Sequence, residues 1–183
     1  NTWFQAYVNH IQHFIYSITG KIKKAFILDC DNTLWKGILG EDGHENIEMS
    51  SSTKDGEPFF YAQKLINQLA NRGILICLCS KNNEKDVDDV INNHPDFIIK
   101  KESITIKKVN WQDKATNIKE ISNELNIGED SLVFLDDSDF EVNLIRDKLP
   151  LVQTFQVPKN ISDYPSLINN ISNYFYRKEI TKD

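Results

Sequence analysis

The sequence predicts an α/β fold, a three-layer α/β/α sandwich on a parallel, Rossmann-like sheet of about five strands. Three observations predict it. Short apolar runs without polar alternation, such as Ala25-Phe26-Ile27-Leu28 and the run at 131–135, read as strands buried on both faces. Stretches of helical periodicity separate these runs, so right-handed crossovers between parallel strands follow. Polar clusters stand directly after several of the runs, where open parallel sheets bind ligands.

Residues 1–19 read as a helix, because Trp3, Phe4, Tyr7, Val8, Ile11, Phe14, Ile15 and Ile18 recur at three- and four-residue steps before Gly20. The apolar face is wide, so this helix is expected to pack on the core or on a neighbouring domain. His10 and His13 are spaced to share a metal but have no third ligand nearby. After the strand at 25–28, residues 34–58 carry Gly37, Gly40, Gly43 and Gly56 and read as a flap. A helix at 57–72 stops at Gly73, and a strand at 74–79 precedes Ser80-Lys81-Asn82-Asn83. A short helix at 84–93 stops at Pro95, and 97–99 is read as a short third strand. Helices at 111–125, 139–149 and 164–176 and strands at 131–135 and 152–157 complete the pattern.

A length of 183 residues suits one compact domain. The expected division is an N-terminal helix at 1–20 and a single main domain at 21–183. The first residue is Asn1 rather than Met, which points to a piece of a longer chain. A net charge of −6 argues against a nucleic-acid partner, which requires a basic patch. No apolar run reaches the roughly 18–20 residues of a membrane span, and no signal peptide is visible. The three cysteines, Cys30, Cys77 and Cys79, are too few and too oddly placed for a disulfide framework. That pattern predicts a reducing, cytoplasmic setting. Cys77 and Cys79, two apart in a strand, share a face and read as small core hydrophobes.

The chemistry gathers around Asp29 and Asp31, two acids one residue apart at the end of a hydrophobic strand. Such a pair is costly unless a cation or hydrogen bonds compensate it, and Mg²⁺ suits oxygen ligands. Three more polar groups lie at strand ends or a helix start: Ser80–Asn83, Lys114, and Asp136-Asp137-Ser138. Each has a bland alternative. Asp29–Thr33 is also a turn, Ser80 is also an N-cap, and one of Asp136 and Asp137 is also a capping acid. Trp111 reads equally as a packed aromatic or as a wall of the cleft.

Asp29, Asp31 and Thr33 resemble the first motif of the haloacid dehalogenase-like phosphohydrolases, Asp-x-Asp-x-Thr after a hydrophobic strand. The longer string DCDNTLWKGILGEDG looks like the FkbH-like branch, which loads a glyceryl unit onto acyl carrier proteins. The order of the four clusters matches that superfamily's four motifs. The resemblance implies Asp29 as nucleophile and Asp31 as general acid and base. It implies Asn32, Thr33, Ser80, Lys81 and Asn82 around the phosphoryl group. It implies a Mg²⁺ held by Asp29, Asp137 and the Asp31 carbonyl, with Asp136 completing the set or serving Lys114. Lys114, in the segment WQDKATNI, is chosen over Lys100, Lys101, Lys107 and Lys108 as the cation that neutralises Asp29.

Where the family commonly has Leu-Trp-Gly-Gly, this chain has Leu34-Trp35-Lys36-Gly37, which makes Trp35 and Lys36 flap candidates against substrate or carrier. Cys30 has two readings. It is a thiol that accepts the glyceryl group, or a core residue whose side chain points to the opposite face from its flanking aspartates. About two dozen residues separate Thr33 from the helix at 57, too few for a cap domain, so an open site is expected. By resemblance, the implied reaction removes phosphate from a phosphoglycerate (1,3-bisphosphoglycerate). It then loads the glyceryl unit onto the phosphopantetheine arm of an acyl carrier protein. A simple Mg²⁺-dependent phosphatase uses the same aspartates and is the first alternative. A non-catalytic receiver-like phosphoacceptor is the second. Such a module keeps its acceptor on a middle strand of the sequence, whereas the strand-end carboxylates here lie on the first and fourth.

Overall fold

The computed structural model describes Ile11 and residues 22–175. The expected helix at 1–20, with His10 and His13, otherwise lies outside the described residues. Strand β1 (Ala25–Leu28) sits at the centre of a five-stranded parallel sheet in the order β3-β2-β1-β4-β5. Its partners are β2 (Leu75–Ser80) and β4 (Leu132–Asp136), with β3 (Ile104–Val109) and β5 (Gln153–Gln156) at the edges. This is the predicted α/β/α sandwich. All four residues of β1 are buried, as the unalternated sequence requires of a central strand.

Side-chain alternation sends successive residues to opposite faces. Phe26, Leu28, Ile76, Leu78, Val133 and Leu135 pack against α2 (Glu57–Asn71), α3 (Glu84–Asn93) and α6 (Tyr164–Ser172). Ala25, Ile27, Cys77, Cys79, Leu132 and Phe134 pack against α4 (Lys114–Leu125) and α5 (Asp139–Lys148). The short α1 (Leu39–Asp42) lies within the flap. Cys77 and Cys79 thus share one buried face as expected, and all three cysteines are free thiols. Among the described residues, no helix is long and apolar enough to cross a membrane.

Register sets the position of the chemistry. Leu28 pairs with Leu78 on one side and Leu135 on the other. Asp29, the Ser80 segment and Asp136 therefore leave the sheet at a single carboxyl edge. Two caps fix the helices that face this edge. Asp113 accepts from the Thr116 amide at 3.1 Å and starts α4 at Lys114, and Ser138 accepts from the Glu141 amide at 3.4 Å and starts α5.

One strand lies elsewhere than expected. Residues 97–99 form no strand, and the third strand is Ile104–Val109. At 98, side chains of α2 replace a strand neighbour. The Ile98 amide donates to Gln63 Oε1 at 2.9 Å, and its carbonyl accepts from Asn67 Nδ2 at 2.6 Å. The true strand is an edge strand whose Lys107 and Lys108 pair with Asp88 and with Glu120 and Glu124. Lysines are common protection for sheet edges, and they hide such a strand from a search for apolar runs.

Candidate active site

Ligand oxygens of Asp29, Asp136 and Asp137 lie within 4.8 Å of one another at the sheet's carboxyl edge. Asp29 and Asp136 are buried, and Asp137 is half-buried. Lys114 Nζ bridges the first two, 2.8 Å from Asp29 Oδ1 and 2.6 Å from Asp136 Oδ2. Lys114 is itself only 4% exposed. The four nearby competitor lysines lie elsewhere in sequence, and Lys107 and Lys108 are engaged at the edge strand.

One ammonium cannot balance three carboxylates, and the site's proton affinities reflect this. Burial pushes the Asp136 carboxyl up to about 7, Asp29's charge adds to the shift, and Lys114 opposes it. Asp137 is also raised by burial, with Asp29 adding to it. Burial alone would lower Lys114, but Asp29 and Asp136 outweigh it and raise its pKa, so Lys114 stays charged. The Lys114 cation lies directly between two acids, whereas Asp136 is set against a second carboxylate. A hard dication on the open side of this oxygen cluster would relieve the remaining repulsion.

Asp136 has both carboxylate oxygens engaged, Oδ2 by Lys114 and Oδ1 by the Ser138 amide at 2.9 Å. That is the arrangement expected of a lysine partner rather than of the most open ligand. Gln156 Nε2 donates to the Asp137 main-chain carbonyl at 3.0 Å, and the Asn32 side chain opposes the rise in the Asp137 carboxyl's pKa.

The side chain of Asp31 stands apart from the three-acid cluster. Its Oδ1 accepts from Trp35 Nε1 and from the Leu39 amide, both at 3.0 Å, and its Oδ2 accepts from Asn82 Nδ2 at 2.8 Å. Burial raises its pKa, against these three donors and with Asp29's charge assisting. The carboxyl is thus fixed in position while its proton is held more tightly than in water.

The loop that delivers these contacts is closed locally. Asn32 adopts a left-handed φ of 49°, its amide donates to the Gly37 carbonyl at 3.2 Å, and its Oδ1 accepts from the Gly37 amide at 3.0 Å. Gly37 has φ +106°, and a Cβ there would lie 2.8 Å from an Asp42 carboxylate oxygen, so this turn needs glycine.

Several predicted site residues have duties that the sequence did not show. Trp35 is fully buried rather than displayed on the flap, and it orients Asp31. Its apolar ring is paired edge-on with Phe97 in the core, which outweighs exposure on a flap. Thr33 is fully buried, its Oγ1 has no partner among the described residues, and its carbonyl accepts from the Tyr164 hydroxyl at 2.8 Å. Ser80 ends β2, is 2% exposed and acts to lower the pKa of the Cys30 thiol. It does not cap α3, whose N-cap is Asn83. Lys81 reaches Glu141 at 2.6 Å, and Asn82 serves Asp31. Trp111 is 76% exposed, so it is not a packed aromatic.

Cys30 lies in the cluster of Phe26 and Leu28, on the sheet face opposite Asp29, with no exposed surface. Burial pushes its thiol well up, Asp29 adds to that, and Ser80 opposes it. The core-residue reading fits this geometry. An acyl-accepting thiolate does not.

No family model matches the chain, and no curated protein matches it. Solved structures do. The N-terminal part of protein BF1531 from Bacteroides fragilis, described as containing a phosphatase domain and complexed with Mg, is 41% identical, with a TM-score of 0.82. The match covers 87% of this chain and 42% of that one, so the chain spans under half the length of that relative. A HAD family enzyme from Bacteroides thetaiotaomicron is 11% identical over 75% of this chain and 95% of that one, with a TM-score of 0.51. A 3-deoxy-D-manno-octulosonate 8-phosphate phosphatase from Moraxella catarrhalis is 17% identical over 84% of this chain and 89% of that one, with a TM-score of 0.50. These two likenesses concern fold alone. The five-stranded parallel sheet without a cap domain among the described residues is the fold of the haloacid dehalogenase-like phosphatases.

Proposed function

We propose that this chain, folded as a haloacid dehalogenase-like phosphatase, is a Mg²⁺-dependent phosphohydrolase domain that works through an aspartyl-phosphate. The observation that carries the reading is the meeting of Asp29, Asp136 and Asp137 within 4.8 Å beside the buried Lys114. The Mg-complexed phosphatase domain of the 41% identical relative supports it. The donor set is carboxylate oxygen throughout, which suits Mg²⁺ better than softer metals. Asp29 and Asp137 would hold the ion, together with the Asp31 main-chain carbonyl, while Asp136 steadies Lys114. When bound, the ion draws charge from the phosphoryl oxygens and lets an anionic ester approach an acidic site.

An Asp29 carboxylate oxygen attacks phosphorus, and the ester P–O bond breaks as the aspartyl-phosphate forms. Asp31 gives its proton to the leaving oxygen. Water then attacks the aspartyl-phosphate, Asp31 takes a proton from it, and release of inorganic phosphate restores both acids. The raised pKa of Asp31 suits the first half, and its three fixed donors keep it aimed in the second. Lys114 orients Asp29 and offsets charge as the phosphoryl group transfers. Ser80 and Asn32 are the side chains assigned to the phosphoryl end, with Thr33 held in the core behind them and Lys81 joining only on release from Glu141. The test is sustained phosphate release from para-nitrophenyl phosphate. It should require Mg²⁺ and stop with EDTA. A single stoichiometric phosphorylation without release would instead indicate a receiver-like acceptor.

The string at 29–43, DCDNTLWKGILGEDG, favours a narrower second reading, transfer of a glyceryl unit from a phosphoglycerate to an acyl carrier protein. The buried Cys30 argues that any such transfer runs directly to the carrier's phosphopantetheine thiol, with no stop on Cys30. Intact-mass measurement with Mg²⁺, a phosphoglycerate donor and a pantetheinylated carrier decides it. A glyceryl gain on the carrier supports transfer, and phosphate release alone supports the simple phosphatase.

A further inference from the structure

Beside the acidic cluster lies a cavity of about 360 Å³. Asn32 and Asp137 line it, and Asp137 belongs both to it and to the candidate metal site. Phe59 and Val157 supply apolar wall, while Lys36 enters from the flap and Lys159 from the segment after β5. Its volume is at the small end for ligand sites, which limits the occupant to a few heavy atoms beyond the phosphoryl group.

The charges in this cavity are unevenly committed. Asp137 faces the shared cation position, and Asp55 is taken by an ion pair with Lys36. Asp139 opens α5, where the helix dipole favours its charge. Lys159 lines the cavity and has no carboxylate within ion-pair reach among the described residues. The Lys36 backbone is pinned by reciprocal hydrogen bonds with Glu48 at 2.8 and 3.0 Å. Its exposed side chain can leave Asp55 without moving the loop.

We infer that Lys159 is a specificity-determining residue, which selects small phosphate esters whose leaving group carries a second anionic group, with Lys36 assisting by exchange from Asp55. The inference rests on the phosphohydrolase reading and deepens it. The anionic group, carboxylate or phosphate, meets Lys159 while the scissile phosphoryl group lies at Asp29. A compact ammonium is suited to either anion.

The test uses the whole Mg²⁺-loaded chain and matched phosphonates that cannot be hydrolysed. Phosphonopropionate, ethylene bisphosphonate and propylphosphonate have similar length and differ in the distal group. Titration calorimetry should give tighter binding of at least one anionic member than of propylphosphonate, by about tenfold, the worth of one charge-assisted contact. Which one binds tighter identifies the anion. Lys159→Ala should erase that advantage and Lys159→Arg should keep it, while Lys64→Ala, on the exposed side of α2, should not alter it. Equal binding of all three, or an advantage that survives Lys159→Ala, overturns the inference. Para-nitrophenyl phosphate turnover, followed in parallel, reports on the phosphohydrolase reading separately. Turnover with no binding preference sinks the specificity claim alone. Absence of both turnover and binding sinks the two together.

Discussion

Replacing Lys114 by Met probes the electrostatic balance of the site. The substitution keeps the chain's length and removes the charge that lies 2.8 Å from Asp29 and 2.6 Å from Asp136. Both acids are at least nine-tenths buried, at 5% and 0% exposure, so solvent cannot take over the lysine's role. Removing one partner of a buried ion pair costs about 3–5 kcal/mol, because the remaining charge is left uncompensated. Two acids share this lysine, which places the expected loss in the upper part of that range. Urea unfolding at neutral pH in EDTA reads it. A bound dication offsets the same repulsion. Mg²⁺ at a hundredfold excess over its Kd adds about 2.7 kcal/mol through binding to the folded state. The variant has one positive charge fewer beside the ion, so at equal Mg²⁺ its increment should exceed that of the unmodified chain. Phosphate release should still fall about a hundredfold or more, since the ion does not replace the lysine at the attacking carboxylate. A loss below about 1 kcal/mol in EDTA, or a smaller Mg²⁺ increment in the variant, would refute the argument.

Three further outcomes are expected. Trp35→Phe removes the indole donor to Asp31 Oδ1 and leaves a partly buried carboxylate short of one bond. It should cost about 1–3 kcal/mol in denaturant unfolding and lower kcat more than it raises KM. Cys30→Ala should retain phosphate release within about threefold and cost about 1 kcal/mol, the signature of a small buried hydrophobe rather than a reacting thiol. His94 has its pKa lowered by burial and by His44 beside it, with Asp96 and Glu45 opposing. Its Nδ1 also accepts from the Asp96 amide at 3.2 Å. The unfolded chain therefore takes up this proton first. Stability contributed by neutral His94 is complete above the ordinary histidine value of 6.5 and falls as pH drops from there through the lower folded value. Thermal unfolding of His94→Asn should show a shallower decline across that window.

Much of the fold could be read because its central strands are apolar without interruption. Ala25–Leu28 and Leu132–Asp136 admit little else, and their ends place Asp29 and Asp136 at one edge. Side-chain alternation offered the inward orientation of Cys30 as one of two readings, and its burial in the cluster of Phe26 and Leu28 favours that one. Ile104–Val109 was missed because an edge strand tolerates charge on its open side, and two lysines broke the apolar run. Phe97–Ile99 looked like a strand because it is apolar, but its backbone is satisfied by the Gln63 and Asn67 side chains. Such long-range amide contacts leave no local signal. Trp35 and Asn82 converge on Asp31 from positions 4 and 51 residues away. Tyr164 reaches the Thr33 carbonyl across 131 residues, which no periodicity encodes. Lys159 carries no motif at all, and only the cavity that it shares with Asn32 and Asp137 draws attention to it.

The aspartyl-phosphate itself offers the most direct measurement. Acid-quenched turnover with Mg²⁺ and a small phosphate ester, followed by peptide mass spectrometry, should find one phosphoryl group on the peptide that holds Asp29. Asp29→Asn should show none and release no phosphate. Continued release by Asp29→Asn, or a phosphoryl group trapped on another residue, would contradict the account.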